Sequence, residues 1–482
     1  MKAPSIKAFT SSSVPPRPAI RLPLWIYDFT SISPAASRAS LRSAIRTRAF
    51  PPTLIPLSRM IQSLDAGIMV SPSRLIVGTV RYRKKWMAQT IVYQFLTGCE
   101  PMSTSSYKMN MFQALMILML SNGLACHVIV NPMLLDASGR DAWITVISAG
   151  AFFIPWSLLL YYMMKKSSMQ NWQSWLARHT HPALSWILLL PVCIHLYLIG
   201  LGTVIQTANW SVSNYLPASS AFQLAILLVL ICLLLASWGI RIIAIASGVL
   251  LPVVIILGFF VGISNSSVKD YTLLMPVLEH GWRPVINGLV YAGSAYMELL
   301  ALLLLQHHIR GKAKPWHLLL YSSFIVIMMN GPVIGAITEF GPLEAAMQMT
   351  SPYEQWRLLR IGQYVEHLDF FSIFQWLSGA SIRVSLPVFI LADVLPLRSS
   401  RKKAVFILAV MASYLVYTIL PANNWTLYLL MFDYFMPISL AVLLPLSLIW
   451  SLCAAFAKPD RRNANESSKP DNGPPAAPQP TG

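Results

Sequence analysis

Three polar stretches interrupt apolar runs of this chain, where polar side chains are costly. Residues 120–124 read Leu-Ser-Asn-Gly-Leu, residues 293–298 read Gly-Ser-Ala-Tyr-Met-Glu, and Arg383 stands within SGASIRVSLPVF. An ionisable group at the centre of a membrane is by default a candidate for function, and small residues at a helix break let backbone groups face a cavity. These stretches predict a small-molecule site, and its predicted ligand-binding residues are Ser121, Asn122, Gly123, Gly293, Ser294, Tyr296 and Glu298.

The intramembrane charge of Arg383 has two interpretations, which can hold together. In the first it pairs with an acid, for which Glu298 is the stronger candidate and Asp433 the weaker. In the second it is a fixed positive charge between the first and eighth membrane spans, where sodium-coupled transporters of the five-plus-five class hold an ion. A guanidinium group keeps its proton in a protein, so Arg383 cannot carry a transported proton.

Other chemistry-bearing residues form no recognisable motif. His127 and His195 stand alone in apolar runs, which is typical of hydrogen-bonded core histidines, and His307 and His308 lie at a helix end beside Arg310. The five cysteines show no metal-ligand spacing. We find no phosphate-binding loop and no nucleophile elbow. We therefore expect no metal site, no cofactor and no enzyme activity.

The composition is typical of a polytopic membrane protein. Hydrophobic residues make up 55% of the chain and charged residues 11%, whereas a soluble domain has about 25% charged residues. The net charge of +18 is concentrated in residues 1–107, which hold 14 Lys and Arg against three acids. These basic residues build no face with aromatic platforms, so the pattern argues against nucleic-acid binding.

Ten apolar stretches of about 20 residues each predict ten transmembrane helices. They are residues 110–132, 142–164, 183–206, 221–238, 242–263, 286–306, 316–337, 366–396, 404–421 and 425–453. Lys and Arg concentrate in the loops after even-numbered spans, which by the positive-inside rule places both termini in the cytoplasm.

Ten spans divide into two halves of five, and an odd-numbered half must invert its topology relative to the other. This is the inverted-repeat arrangement of many transporters. Spans one and six then correspond, and the polar stretches at 120–124 and 293–298 predict that both helices are discontinuous. The paired breaks strengthen the prediction of a binding site there.

We divide the chain into three parts. Residues 1–108 form a basic Pro/Ser/Arg-rich extension, residues 109–455 a ten-helix permease-like domain, and residues 456–482 a disordered cytoplasmic tail. The extension is a disordered tail, a transit peptide, or the product of a start codon placed too far upstream, with Met102 or Met109 as the true start. We favour the third interpretation.

The predicted external loop of residues 338–365 is long and amphipathic. It predicts a helix lying on the membrane surface. The functional alternative is a lid over the external entrance or a docking face for a partner.

The segment from 340 to 389 carries a specific combination of residues, namely Phe340, Gly341, Glu344, Arg360, Ile361, Val365, Glu366, Asp369, Arg383 and Ser385. In these positions it resembles the B-subunit family of spore germination receptors, the GerAB-like endospore germination permeases. Residues 274–277, Leu-Met-Pro-Val, are similar to the loop before span six in that family. Two departures are Tyr296-Met297-Glu298, whose bulk would narrow the pocket, and His367, where the family commonly has Arg.

The resemblance covers about residues 109–455 and implies a fold and a function. The fold would be that of the amino acid–polyamine–organocation transporter superfamily, an all-α, LeuT-like bundle. The chain would be a nutrient-sensing subunit in the inner membrane of a bacterial endospore, acting beside an A subunit and a C-subunit lipoprotein. Its ligand would be an amino acid or similar germinant. The alternatives are an amino-acid or amine transporter of the same superfamily and a membrane scaffold without a ligand.

Overall fold

The computed structural model describes residues 108–360, 367–397, 399–420 and 423–457. Nearly all of the predicted extension, with Met102, and the tail from residue 458 onward lie outside the described residues. So do three of the positions that carry the resemblance, Ile361, Val365 and Glu366.

Helices form the fold of the described residues, which contain no β-strand beyond one isolated parallel bridge between Met109 and Ile309. The α-helices are α1 Met111–Leu124, α2 Asn131–Ser138, α3 Ala142–Lys166, α4 Trp172–His179, α5 Pro182–Asn214, α6 Ala221–Trp238, α7 Ile240–Ser264, α8 Arg283–Met297, α9 Ala301–Leu305, α10 Pro315–Phe340, α11 Pro342–Met347, α12 Ser351–Arg357, α13 Phe370–Val394, α14 Ser400–Thr418, α15 Asn424–Leu430 and α16 Met436–Phe456.

Local sequence signals set several helix boundaries. At the start of α1, Asn110 accepts a hydrogen bond from the Gln113 backbone at 2.7 Å, and the Gln113 side chain accepts one from the Asn110 backbone at 3.0 Å. This reciprocal capping satisfies two backbone donors that a helix start leaves free. Gly239 separates α6 from α7 and Gly341 ends α10, with φ of 83° and 80°, a backbone region that glycine adopts without a steric penalty.

Eight helical segments within the described residues are long and apolar enough to cross a membrane. The first of them, Met111–Lys166, contains both predicted spans one and two. The predicted ninth span corresponds to α14, which is not among the eight because Arg401, Lys402 and Lys403 occupy its first turn. The chain is thus an all-α polytopic protein, as predicted, and the number of ten spans stays a prediction.

Predicted spans one and six begin with α1 and α8. Each span changes its helix type beside its polar stretch but is not unwound there. Residues 120–124 end α1, and a π-helical segment, Ala125–Ile129, follows directly. Residues 293–297 end α8, and a 3₁₀ turn, Glu298–Leu300, follows. The predicted discontinuity is therefore a change of helix type, which keeps the backbone hydrogen-bonded within the segment.

Three pairs of helices that are equivalent in the two predicted halves pack against each other: α3 against α10 (spans two and seven), α5 against α13 (three and eight) and α6 against α14 (four and nine). The contact of α1 with α7 (spans one and five) is repeated in the second half by that of α8 with α16 (six and ten). At the contact of α3 with α10, a Cβ atom on Gly150 would lie 2.8 Å from the Val326 side chain. Close helix packing through a small residue is typical of membrane bundles. Among the eight candidate spans, Arg283–His308 and Phe370–Val394 have the largest share of buried residues.

Candidate functional site

A buried ion pair joins the sixth and eighth predicted spans at the centre of the bundle. The Arg383 guanidinium on α13 contacts the Glu298 carboxylate after α8 at two points, Nη1 to Oε2 at 2.5 Å and Nη2 to Oε1 at 2.6 Å. Only 2% of the Arg383 side chain and 8% of the Glu298 side chain are exposed. A bidentate pair of this kind fixes geometry as well as charge, so the predicted pairing with Glu298 is present.

The first predicted span contributes to the same centre. The Arg383 Nη1 atom also donates to the backbone carbonyl of Ser121 at 3.1 Å. The guanidinium therefore bridges predicted spans one, six and eight. The fixed-cation interpretation requires a positive charge between spans one and eight, and the guanidinium of span eight lies beside a carbonyl group of span one.

Asn122 connects the first span to Glu298 through its side chain. The hydrogen-bond network orients the carboxamide so that its nitrogen donates to the Ala295 carbonyl at 3.1 Å and to Glu298 Oε2 at 3.2 Å. The other amide atom lies 3.3 Å from the Tyr321 hydroxyl of α10. Tyr321 was not among the predicted site residues, because a tyrosine in an apolar helix is usually a packing residue.

The hydroxyl groups of two predicted ligand residues on α8 are buried and without a hydrogen-bond partner in the described structure. These are Ser294 Oγ and Tyr296 Oη, and the Nε atom of Arg383 is in the same state. The Tyr296 ring stacks on Phe153, with ring centroids 4.2 Å apart and planes at 13°. Since most buried polar groups have partners, these three orphaned atoms require an explanation.

The two glycines of the predicted site have different surroundings. A Cβ atom on Gly293 would lie 3.2 Å from Leu440 of α16, so Gly293 serves helix packing. Gly123 lines a cavity, where an added Cβ would lie 3.2 Å from the flexible end of Met328. Both glycines lie inside helices, whose backbone groups are largely hydrogen-bonded within the helix, and their assignment as ligand-binding residues stays a prediction.

Two cavities are lined by predicted site residues. The larger, about 320 Å³, is formed by α1, α7, α10, α12 and α13 with Trp210 of α5, and Gly123 is the predicted site residue that reaches it. The smaller, about 110 Å³, is formed by α5, α15, the π-helical segment Ala125–Ile129 and a second π-helical segment, Met431–Phe435, and Arg383 lines it. The ion pair therefore borders the smaller cavity, and the end of α1 borders the larger.

Helix α12, within the loop after α10, packs into the bundle, so this part of the loop does not lie on the membrane surface as expected. Asn265 donates to the Gln355 carbonyl at 2.7 Å, and Gln355 donates to the Pro332 carbonyl at 2.9 Å. The Trp356 indole donates to Gln375 at 2.9 Å. Helix α12 thereby forms one wall of the larger cavity.

The remaining candidates are Asp433 and two histidines. Asp433 is exposed on the second π-helical segment, Met431–Phe435. His195 Nδ1 lies 3.1 Å from Ser439 Oγ and its ring stacks on Phe435, and His127 Nδ1 lies 3.4 Å from the Met328 carbonyl. His195 is a buried, hydrogen-bonded residue, as predicted, whereas His127 is partly exposed and lines the larger cavity.

A second polar cluster was missed from the sequence. His307 and His308, at the end of span six, each place Nε2 2.9 Å from Asp393 Oδ2 at the end of α13. Lys403 Nζ lies 3.1 Å from Asp393 Oδ1. The signal was available, since Asp393 is an acid within an apolar run, but its histidine partners lie more than 80 residues away in the chain.

Comparison with known proteins gives one consistent answer. A family model described as spore germination protein matches residues 108–425. Spore germination protein XB of Bacillus anthracis is 39% identical over 330 residues, which cover 68% of this chain and 93% of that protein. The chain therefore belongs to the spore germination protein family of membrane permeases.

Proposed function

We propose that this chain is the nutrient-sensing membrane subunit of a spore germination receptor. It binds a small germinant of the amino-acid class near the Glu298–Arg383 pair. Binding changes the arrangement of its helices, and A and C subunits in the inner membrane of the spore respond to that change. The observation that carries the proposal is the buried bidentate pair, which bridges predicted spans one, six and eight and leaves the Arg383 Nε atom without a partner in the described structure.

The chemistry of the pair matches a free amino acid. The ligand's ammonium group is complementary to the Glu298 carboxylate, and its carboxylate is complementary to the Arg383 guanidinium in bidentate geometry. The unpartnered hydroxyls of Ser294 and Tyr296, within four residues of Glu298 in the chain, add hydrogen-bonding capacity on the same span. Ser121, Asn122 and Gly123 complete the site from the first span.

The packing of the bundle supports a transporter-like architecture behind this site. In a five-plus-five inverted repeat, span two is equivalent to span seven, span three to span eight, and span four to span nine. In this chain the two helices of each of these pairs pack against each other. Span one packs against span five, and its equivalent, span six, packs against span ten. Ligand sites in such folds lie at the interface between the repeats.

The placement of basic residues supports a topology with both termini in the cytoplasm. Arg310 and Lys403 lie at one end of the bundle, where the Arg310 backbone donates to Met109 at 2.7 Å and Lys403 contacts Asp393. We call this the His307 end, and the opposite end, which holds α12, the α12 end. The germinant enters from the α12 end, and α12 acts as a lid on the larger cavity.

Signalling requires two helix arrangements with different affinities for the ligand. In the arrangement described here, Arg383 and Glu298 satisfy each other's charge. A zwitterionic ligand that inserts between them replaces this contact with its own two charges and separates span six from span eight. The partner subunits respond to that separation.

A germination assay on spores tests the proposal. The chain is deleted and complemented with Glu298→Gln, with Glu279→Gln as the matched control, because Glu279 pairs with Arg140 at the surface. We expect Glu298→Gln to abolish the response to the cognate amino acid at unchanged membrane abundance, while Glu279→Gln responds normally. An unchanged response of the Glu298→Gln spores would refute the assignment of the site.

A transport assay separates the receptor from the transporter alternative. Radiolabelled uptake of the cognate amino acid is measured in vesicles that contain this chain without the A and C subunits. We expect binding without net accumulation. Accumulation abolished by Glu298→Gln would assign transport to the same site.

A further inference from the structure

We propose that His307, His308 and Asp393 form a binding site for one divalent transition-metal ion, Zn²⁺ being the expected occupant, at the His307 end of the bundle. This inference concerns a different site from the germinant pocket and does not rest on the proposed function.

The three side chains already converge on one point. His307 Nε2 and His308 Nε2 each lie 2.9 Å from Asp393 Oδ2, and the three ligand atoms all lie within 4.8 Å of one another. Zinc binds imidazole nitrogen and carboxylate oxygen at about 2.0–2.2 Å, so ligands of a tetrahedral ion lie about 3.3 Å apart. An ion between the rings and the carboxylate therefore requires only small rotations of the side chains.

The local backbone explains how two neighbouring histidines face the same carboxylate. In a continuous α-helix, successive side chains diverge by about 100°. Here the two residues end a 3₁₀ turn, and the chain becomes extended at Ile309. Met109 holds this turn by donating to the His308 carbonyl at 2.9 Å, and the two imidazole centroids lie 4.1 Å apart.

The donor set is suited to a transition metal and accessible to one. Two imidazoles and one carboxylate bind Zn²⁺, Co²⁺ or Fe²⁺ and leave a further position for water. The three side chains are 16–21% exposed, so an ion can reach them from solvent. Lys403 contacts the other carboxylate oxygen, Oδ1, at 3.1 Å and leaves Oδ2 directed at the histidines.

An ion at this site would join the end of span six to the end of span eight. The Glu298–Arg383 pair connects the same two spans at the centre of the bundle. Because a ligand stabilises the state that binds it, an occupied site favours the arrangement in which these helix ends meet.

Metal binding to the purified full chain tests the proposal. The protein is purified with a tag that contains no histidine, stripped with a chelator, and titrated with Zn²⁺ by calorimetry and with Co²⁺ by visible absorption. We expect one saturable ion per chain and the absorption bands of Co²⁺ with nitrogen ligands. Asp393→Asn and His308→Gln should each abolish this site, while His280→Gln, which removes an exposed histidine elsewhere, should leave it intact.

Lys403→Gln separates a metal site from a cluster held only by ion pairs. It removes a positive charge that competes with the ion, so Zn²⁺ binding should be retained or tightened. The proposal would be overturned if the unmodified chain bound no Zn²⁺. It would also be overturned if the Asp393→Asn and His308→Gln variants both bound Zn²⁺ as well as the unmodified chain. The elution profile in size-exclusion chromatography serves as the check that each variant is folded.

Discussion

Removing the two partners of the Glu298–Arg383 pair one at a time should have unequal consequences. Glu298→Ala leaves a guanidinium that keeps its charge with the Ser121 carbonyl as its remaining contact among those described here. Breaking a buried pair from one side costs about 3–5 kcal/mol, and little of this is screened because Arg383 is 1% exposed. We expect a loss of this size in the free energy of unfolding of Glu298→Ala, independent of pH between 5 and 7.

Arg383→Met should cost less than Glu298→Ala. It removes a guanidinium whose Nε atom is buried without a partner in the described structure, and it leaves Glu298 with the Asn122 side chain as a hydrogen-bond donor at 3.2 Å. A buried polar atom without a partner is itself unfavourable, so its removal offsets part of the cost of breaking the pair.

The double variant Glu298→Leu/Arg383→Met separates stability from signalling. Replacing both members of a buried pair by apolar groups of similar volume is often neutral or stabilising, so its stability should lie within about 1 kcal/mol of the parent. Its germination response should be lost. Thermal denaturation in detergent at pH 5, 6 and 7 measures the first effect. Equal deficits for the two single variants would refute the reasoning.

Two further predictions concern the surroundings of the pair. Asn122→Asp places a second acid beside Glu298, 3.2 Å from Oε2, so it should impair the germination response more than Asn122→Ala; equal responses would contradict the contact. Gly150→Ala should lower the melting temperature, because the added Cβ lies 2.8 Å from Val326, whereas Gly248→Ala, with open space around it, should raise it by removing a glycine from a helix. Similar shifts for both glycine variants would show that α3 and α10 are not closely packed.

The sequence was sufficient for the helices and for the polar centre. Long apolar runs can satisfy their backbone groups in a membrane only as helices or closed barrels, and a helix occupies every predicted span. The cost of isolated charges in such runs identified Glu298 and Arg383, which contact each other. Outside span eight, which itself contains Glu366, Asp369 and Asp393, the predicted spans hold only the acids Glu298 and Asp433, so the pairing with Glu298 could be proposed without coordinates.

The sequence did not reveal which residues line open space. Ser294 and Tyr296, two of the predicted ligand residues, are buried, and Tyr296 packs against Phe153 of α3, whereas Gly123 is the predicted residue that lines the larger cavity. The larger cavity depends instead on α12 folding into the bundle, which its hydrogen bonds to Asn265, Pro332 and Gln375 establish. Amphipathic pattern alone does not distinguish a helix that covers protein from one that covers lipid.

By itself the sequence determined the all-helical membrane class, the order of the spans and the charges at their centre, because hydropathy and the cost of buried charge act on each segment separately. The tertiary structure decided the partners: Ser121 for Arg383, Tyr321 for Asn122, and Asp393 for the two histidines. These contacts join residues that are far apart in the chain, and helix packing alone brings them within hydrogen-bonding distance.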